Sequence, residues 1–152
     1  MVDARRYFDE IELGEEYESP GRTVTEADIV MFAGLSGDYN VLHTDAEFMK
    51  QTIFGERIAH GLLCLAIQSG LFTRATAPYA TLGFGGLRWK FKAPVKIGDT
   101  VIVTVTVAEL MPERSRARLS CVCAVGGEVV LDGEALVKVP SEAKGKRPAL
   151  RL

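Results

Sequence analysis

From Gly61 to Thr76 the chain reads Gly-Leu-Leu-Cys-Leu-Ala-Ile-Gln-Ser-Gly-Leu-Phe-Thr-Arg-Ala-Thr, with apolar side chains nearly all round a helical wheel. That pattern marks a helix buried by other elements rather than one lying on a surface. The texture then changes. Residues 85–92 alternate apolar odd positions with basic even ones, as a half-exposed strand does. Pro94 stops that strand, and Ile97-Gly98-Asp99-Thr100 turns the chain. Residues 100–110 are rich in β-branched side chains and alternate valine with threonine. Residues 116–125 and 128–139 read as two more strands around a turn at Gly126-Gly127. One long buried helix followed by a run of antiparallel strands specifies an α+β fold, a sheet wrapped around one helix.

The chain of 152 residues amounts to one domain, residues 1–152, with room for one sizeable core. Apolar residues at 47% and charged residues at 25% exclude a disordered chain. The formal charge of −2 is too weak for a nucleic-acid binder. Residues 141–152 carry Lys144, Lys146, Arg147 and Arg151 against Glu142, a local +3, so the body is near −5 and the tail reads as a peripheral, solvated end. No apolar stretch follows Arg5 and Arg6, so no secretory signal is expected. The uncharged stretch between Arg57 and Arg74 spans 16 residues, short of the roughly 20 that a spanning helix needs. Three cysteines, an odd number, do not make a disulfide framework. The expectation is a cytoplasmic protein with neither a membrane span nor a nucleic-acid partner.

Before the buried helix, Thr25-Glu26-Ala27-Asp28 reads as a helix start with Thr25 as N-cap, and Gly34 and Gly37 end its apolar pattern. A second short helix is expected over residues 45–51, with Phe48 and Met49 inward. Between the two, Ser36-Gly37-Asp38-Tyr39-Asn40 consists of turn formers. Here a carboxylate, Asp38, stands five residues before an imidazole, His43. A loop can bring both to one small volume, where two protons can move in one step. The plainer reading is an Asx-type turn at Asp38 and a packed histidine with its hydrogen bonds satisfied.

Ala59-His60-Gly61 stands where the buried helix begins, so Gly61 presents an unpaired N–H at the positive end of the helix dipole. Glycine also admits a ligand close to the backbone. Such a donor stabilises negative charge developing on a thioester oxygen. Helix-start geometry alone, with His60 capping, is the plainer reading. His43 and His60 are the only histidines, which excludes a three-histidine metal site. Cys121 and Cys123 lack the remaining ligands of a zinc site, and Cys64 reads as a small buried hydrophobe. No metal is expected.

The pattern Gly37-Asp38-x-Asn40-x-Leu42-His43, followed by Ala59-His60-Gly61-Leu62, resembles the MaoC-like, (R)-specific enoyl-CoA hydratases, which have the hot-dog fold. The resemblance continues through Phe91-Lys92-Ala93-Pro94-Val95 and Ile97-Gly98-Asp99-Thr100 and covers residues 8–140. It implies that Asp38 and His43 are a catalytic pair holding the reacting water, and that the Gly61 N–H polarises the thioester carbonyl. It further implies that Asn40 braces the loop and that Ser69, two turns along the helix, hydrogen-bonds near the pair. His60 would support the site from the same motif. One departure is Val41, which stands where the family usually has proline and does not lock φ as proline does.

The implied reaction is hydration of a trans-2-enoyl-CoA to the (R)-3-hydroxyacyl-CoA, and the reverse dehydration. The substrate would be an acyl-CoA or acyl-carrier-protein thioester, with no cofactor beyond the coenzyme A it carries. The stripe Arg88, Lys90 and Lys92, together with Arg57, offers candidates for the coenzyme A phosphates; the plainer reading of the stripe is a solvated strand face. Relatives of this kind pair their sheets edge to edge and build the pocket with both subunits, which implies a homodimer or an assembly of dimers. Residues 100–110 would be hazardous as an exposed edge, which points the same way. Two alternatives remain. A hot-dog thioesterase would direct the water at the carbonyl carbon. A non-catalytic acyl-thioester-binding subunit would have no need of both Asp38 and His43.

Overall fold

A computed structural model describes residues 6–142. Beyond its first two residues, the basic tail 141–152 lies outside the described residues. The sheet is built on a meander of three long strands, β4 (Thr100–Met111), β5 (Arg116–Val125) and β6 (Glu128–Lys138). Their period of two sorts side chains by face. Val101, Val103, Val105 and Val107 of β4 are buried, and so are Ala117, Leu119, Cys121 and Cys123 of β5. Each large apolar side chain so buried contributes about 1.5–3 kcal/mol. The two-residue turn between β5 and β6 has φ of 56° at Gly126 and 88° at Gly127, a left-handed pair that glycine adopts without strain.

Short β1 (Glu16–Glu18) and β2 (Arg22–Thr23) pair with β4, while β3 (Gly83–Phe91) runs along β6. The order is β1-β4-β5-β6-β3, antiparallel throughout, with β2 also on β4. This corrects the expectation for residues 100–110. They form an interior strand, with β5 along one side and short β1 and β2 along residues 100–106 of the other, and the long edge strand is β3. Phe84, Leu87 and Phe91 of that edge are each about half exposed, so β3 is open on both faces rather than one.

Helix α4 (Gly61–Ala75) packs on β4, burying Leu63, Cys64, Ile67, Leu71, Phe72 and Ala75. Burial on every side is not observed. Leu62 is 62% exposed, and Ala66 and Gly70 face outward with it, because nothing in the single chain covers that side. Helix α1 (Glu26–Ser36) starts in a reciprocal cap: Asp28 N–H donates to Thr25 Oγ1, and Thr25 N–H donates to the Asp28 carboxylate at 2.8 Å. It ends at Gly37, where φ is 76°.

The short helix expected over residues 45–51 is present as α3 (Ala46–Met49), and a further single turn, α2 (Val41–Thr44), precedes it. Met49 is fully buried, but Phe48 is 47% exposed and does not face inward. Successive helical side chains diverge by about 100°, so a single turn directs one of the two to the core.

Candidate active site

Asp38 and His43 come together as two segments meet, the loop 37–43 and the residues leading into α4. His43, at the end of α2, is 8% exposed, and its Nδ1 lies 2.8 Å from the Ile58 carbonyl oxygen. A carbonyl only accepts, so Nδ1 carries a proton, and in the neutral ring the lone pair is on Nε2. The Ile58 carbonyl is held by its own segment. Ile58 N–H donates to Leu42 O, Ala59 N–H donates to Val95 O at 2.7 Å, and Ile58 bridges to Lys96.

The Asp38 side chain is exposed, and its backbone N–H donates to Ser36 Oγ at 3.2 Å. Its Oδ1 accepts the Asn40 N–H at 3.2 Å, the Asx turn of the plainer reading. Asn40 Oδ1 in turn accepts the Leu42 N–H at 3.0 Å and caps α2. The plain features are therefore present, and they are what fixes the two side chains. A carboxylate oxygen of Asp38 and one ring nitrogen each of His43 and His60 all lie within 4.8 Å of one another. One water bonded to two groups at about 2.8 Å spans a gap of up to about 5 Å, so a single water fits between the carboxylate and the imidazole.

His60 is 1% exposed and is the N-cap of α4, yet its side chain does not cap the helix. Its Nε2 donates instead to the Asp38 carbonyl oxygen at 2.9 Å. Its ring stacks on His43, with centroids 3.8 Å apart and planes 29° from parallel, and lies 5.0 Å from the Phe32 ring. With no side chain capping it, the first turn of α4 keeps its positive end open for a ligand.

A cavity of about 310 Å³ opens beside this start, walled by His43, Gly61, Cys64, Phe91 and Lys92 among others. Burial pushes the Cys64 thiol up to about 11, so it lines the cavity as a neutral group and not as a thiolate nucleophile. A Cβ at Gly61 would stand 3.1 Å from Phe91 Cε1, so any larger residue there would have to push the ring aside by a few tenths of an ångström. Two contributors were given no role by the sequence: the Ile58 carbonyl, which is backbone, and the Phe91 ring, which stood there only as a strand residue opening the Phe91–Val95 segment of the resemblance.

Of the cation candidates, Lys92 lines the cavity, and its Nζ meets Asp132 Oδ2 at 3.2 Å. Arg88 and Lys90 stand opposite Glu134 and Asp132 of β6 and line a separate groove with Ser120 and Val122. Arg57 is turned to Glu26, with both guanidinium nitrogens on the carboxylate at 2.9 and 2.5 Å, and one also reaches the His43 carbonyl at 3.5 Å. The Arg57 hydrogen bonds to Glu26 hold its carboxyl below its usual range. Ser69 lies eight residues along α4 from Gly61, about 12 Å up the helix, and is not part of the cavity wall. Its carbonyl accepts the Thr73 hydroxyl.

The family described as MaoC like domain matches residues 10–124 of this chain. A 3-hydroxybutyryl-CoA dehydratase of Methylorubrum extorquens is 46% identical over 147 residues, covering 96% of this chain and 92% of that protein. An (R)-specific enoyl-CoA hydratase of Rhodospirillum rubrum is 45% identical, covering 89% of this chain and 92% of its own length. Among solved structures, the unliganded R-hydratase of Pseudomonas aeruginosa superposes with a TM-score of 0.79 at 34% identity, covering 89% of this chain and 86% of that one.

Proposed function

The chain belongs to the MaoC-like domain family, with the hot-dog fold, and from that premise we propose that it is an (R)-specific enoyl-CoA hydratase that also runs the reverse dehydration. One observation carries the reading: a carboxylate and an imidazole with a free Nε2 converge beside an uncapped helix start. In hydration, the water between Asp38 and His43 attacks C3 of the enoyl thioester. His43 Nε2 takes its proton, since Nδ1–H is committed to Ile58. The pair returns one proton to C2 and ends as it began. Between these events the thioester oxygen gains enolate charge, which the Gly61 N–H stabilises. No cofactor enters beyond the coenzyme A of the substrate, and Lys92, at the cavity, meets its phosphates.

The active form is a dimer in which a second copy pairs along β3 and closes the side on which Asp38 stands exposed. The open edge and its apolar Phe84, Leu87 and Phe91 support this. No helix among the described residues is long and apolar enough to cross a membrane. Three free, buried cysteines fit the reducing cytoplasm. Incubation with crotonyl-CoA and water tests the activity. The expected product is (R)-3-hydroxybutyryl-CoA; release of free coenzyme A would instead make this a thioesterase, and no reaction would leave a binding subunit.

A further inference from the structure

The two histidines are cross-tied. His43, carried by the loop, donates to a backbone carbonyl of the segment before α4, that of Ile58. His60, carried by that segment, donates to a backbone carbonyl of the loop, that of Asp38. Between these bonds the rings stack at 3.8 Å. One segment carries the acid–base pair and the other carries the Gly61 N–H, so the tie sets the distance between them.

His60 is chosen for more than bulk. At 1% exposure its Nδ1 has no hydrogen-bond partner, a buried polar atom that a phenylalanine or leucine would not leave. What an imidazole supplies there is the Nε2 donor, aimed at Asp38. Capping would also use an imidazole, but the side chain makes no cap bond.

We infer that His60 is a positioning residue that holds the Asp38–His43 pair in register with the Gly61 N–H, an inference that rests on the hydratase reading for its catalytic consequence. Misplacing reacting groups by about 1 Å can cost about 10²-fold in rate without weakening binding equally.

The test compares His60→Phe, which keeps a ring against His43 and Phe32, with His60→Gln, whose amide restores a donor near Nε2. Melting temperatures establish that each variant is folded. With crotonyl-CoA, His60→Phe should lose about 10–100-fold in kcat with KM changed less than about threefold, and His60→Gln should recover most of that loss. Amide hydrogen exchange at Asn40, Leu42 and His43 is read on the same proteins without substrate. It should quicken in His60→Phe and return toward wild type in His60→Gln. Turnover of His60→Phe within threefold of wild type, or exchange unchanged in it, overturns the inference, and so does an equal loss in both variants. A wild-type protein that hydrates nothing defeats the hydratase reading, and exchange alone then decides whether His60 orders the loop.

Discussion

The Nδ1 proton of His43 is held by the Ile58 carbonyl at 2.8 Å, across fifteen residues of sequence. In the proposed reaction this bond determines which nitrogen faces the water, and it ties a histidine on so short a helix into a buried position. The loop hydrogen bonds around Asp38 hold the opposite side of the same small volume.

Asp38→Asn and His43→Ala should each lower turnover by about 10²–10⁴-fold, the range for a general acid–base group. The double variant should lose little more than the worse single one, because the two act on one water. Steady-state rates on preparations shown to be folded by circular dichroism check this. Wild-type-like turnover in either single variant removes the assignment.

Gly61 has two reasons to be glycine, and they separate in a double variant. Gly61→Ala puts a Cβ 3.1 Å from Phe91 Cε1 and also crowds the approach to the backbone N–H. Phe91→Ala removes the first conflict and leaves the second. Gly61→Ala should lower kcat/KM by about 10²-fold, near the worth of one oxyanion donor. Relative to Phe91→Ala alone, the double variant should still show most of that loss, while its melting temperature recovers. Recovery of activity along with stability would leave Gly61 a packing residue.

The strands from residue 100 onward were legible because alternation and a glycine turn are local signals, and β5 has the bounds expected. The Thr25 cap was legible for the same reason. What was not legible depended on partners remote in sequence. The valine-rich character of β4 announces burial but not whether neighbours supply it on one side or two, and short charged β1 supplies one of them. The site divides similarly. Asp38, His43 and Gly61 stood out as residue types in a loop and at a helix start. The Ile58 carbonyl and the His60–Asp38 bond are long-range, and only the folded chain contains them.

Val41 occupies the first position of α2, where proline is favoured because its missing N–H is unneeded and its φ is already helical. Asn40 before it is extended, at φ −53° and ψ 139°, which a following proline prefers. Val41→Pro should therefore stabilise by about 0.4–1 kcal/mol through the unfolded chain, with turnover kept. A melting scan should show a rise of a few degrees. A fall would mean that the Val41 N–H has a structural use that proline removes.

The edge of β3 should be needed for assembly. Leu87, 52% exposed at mid-strand, is replaced by glutamate to set like charges together where two copies would meet in the proposed dimer. Light scattering should show the wild type as a dimer and Leu87→Glu shifted to monomer, with lower activity at equal protein. A wild-type monomer active at high dilution would mean that one chain completes its own site.

Far from the site, Glu15 accepts hydrogen bonds from Arg6, from Tyr17 at 3.0 Å and from Tyr79 at 2.8 Å, tying the start of the described chain to the residues after α4. Burial pushes its carboxyl up, but the bonds from Arg6, Tyr79 and Tyr17 outweigh burial and hold it below its usual value. Burial first, and then the bond to Glu15, raise the Tyr79 hydroxyl well above its ordinary range, so it remains a donor. A carboxyl lowered on folding stabilises above its unfolded value, about 4.3, and that stability is lost as pH falls through the lower folded value. Glu15→Gln should thus melt below wild type at about pH 7, and the gap should narrow as pH drops below about 4, where the wild-type carboxyl is itself protonated. Melting curves of both proteins across that range check it. A gap that stays constant with pH would show that Glu15 acts there through shape and not through charge.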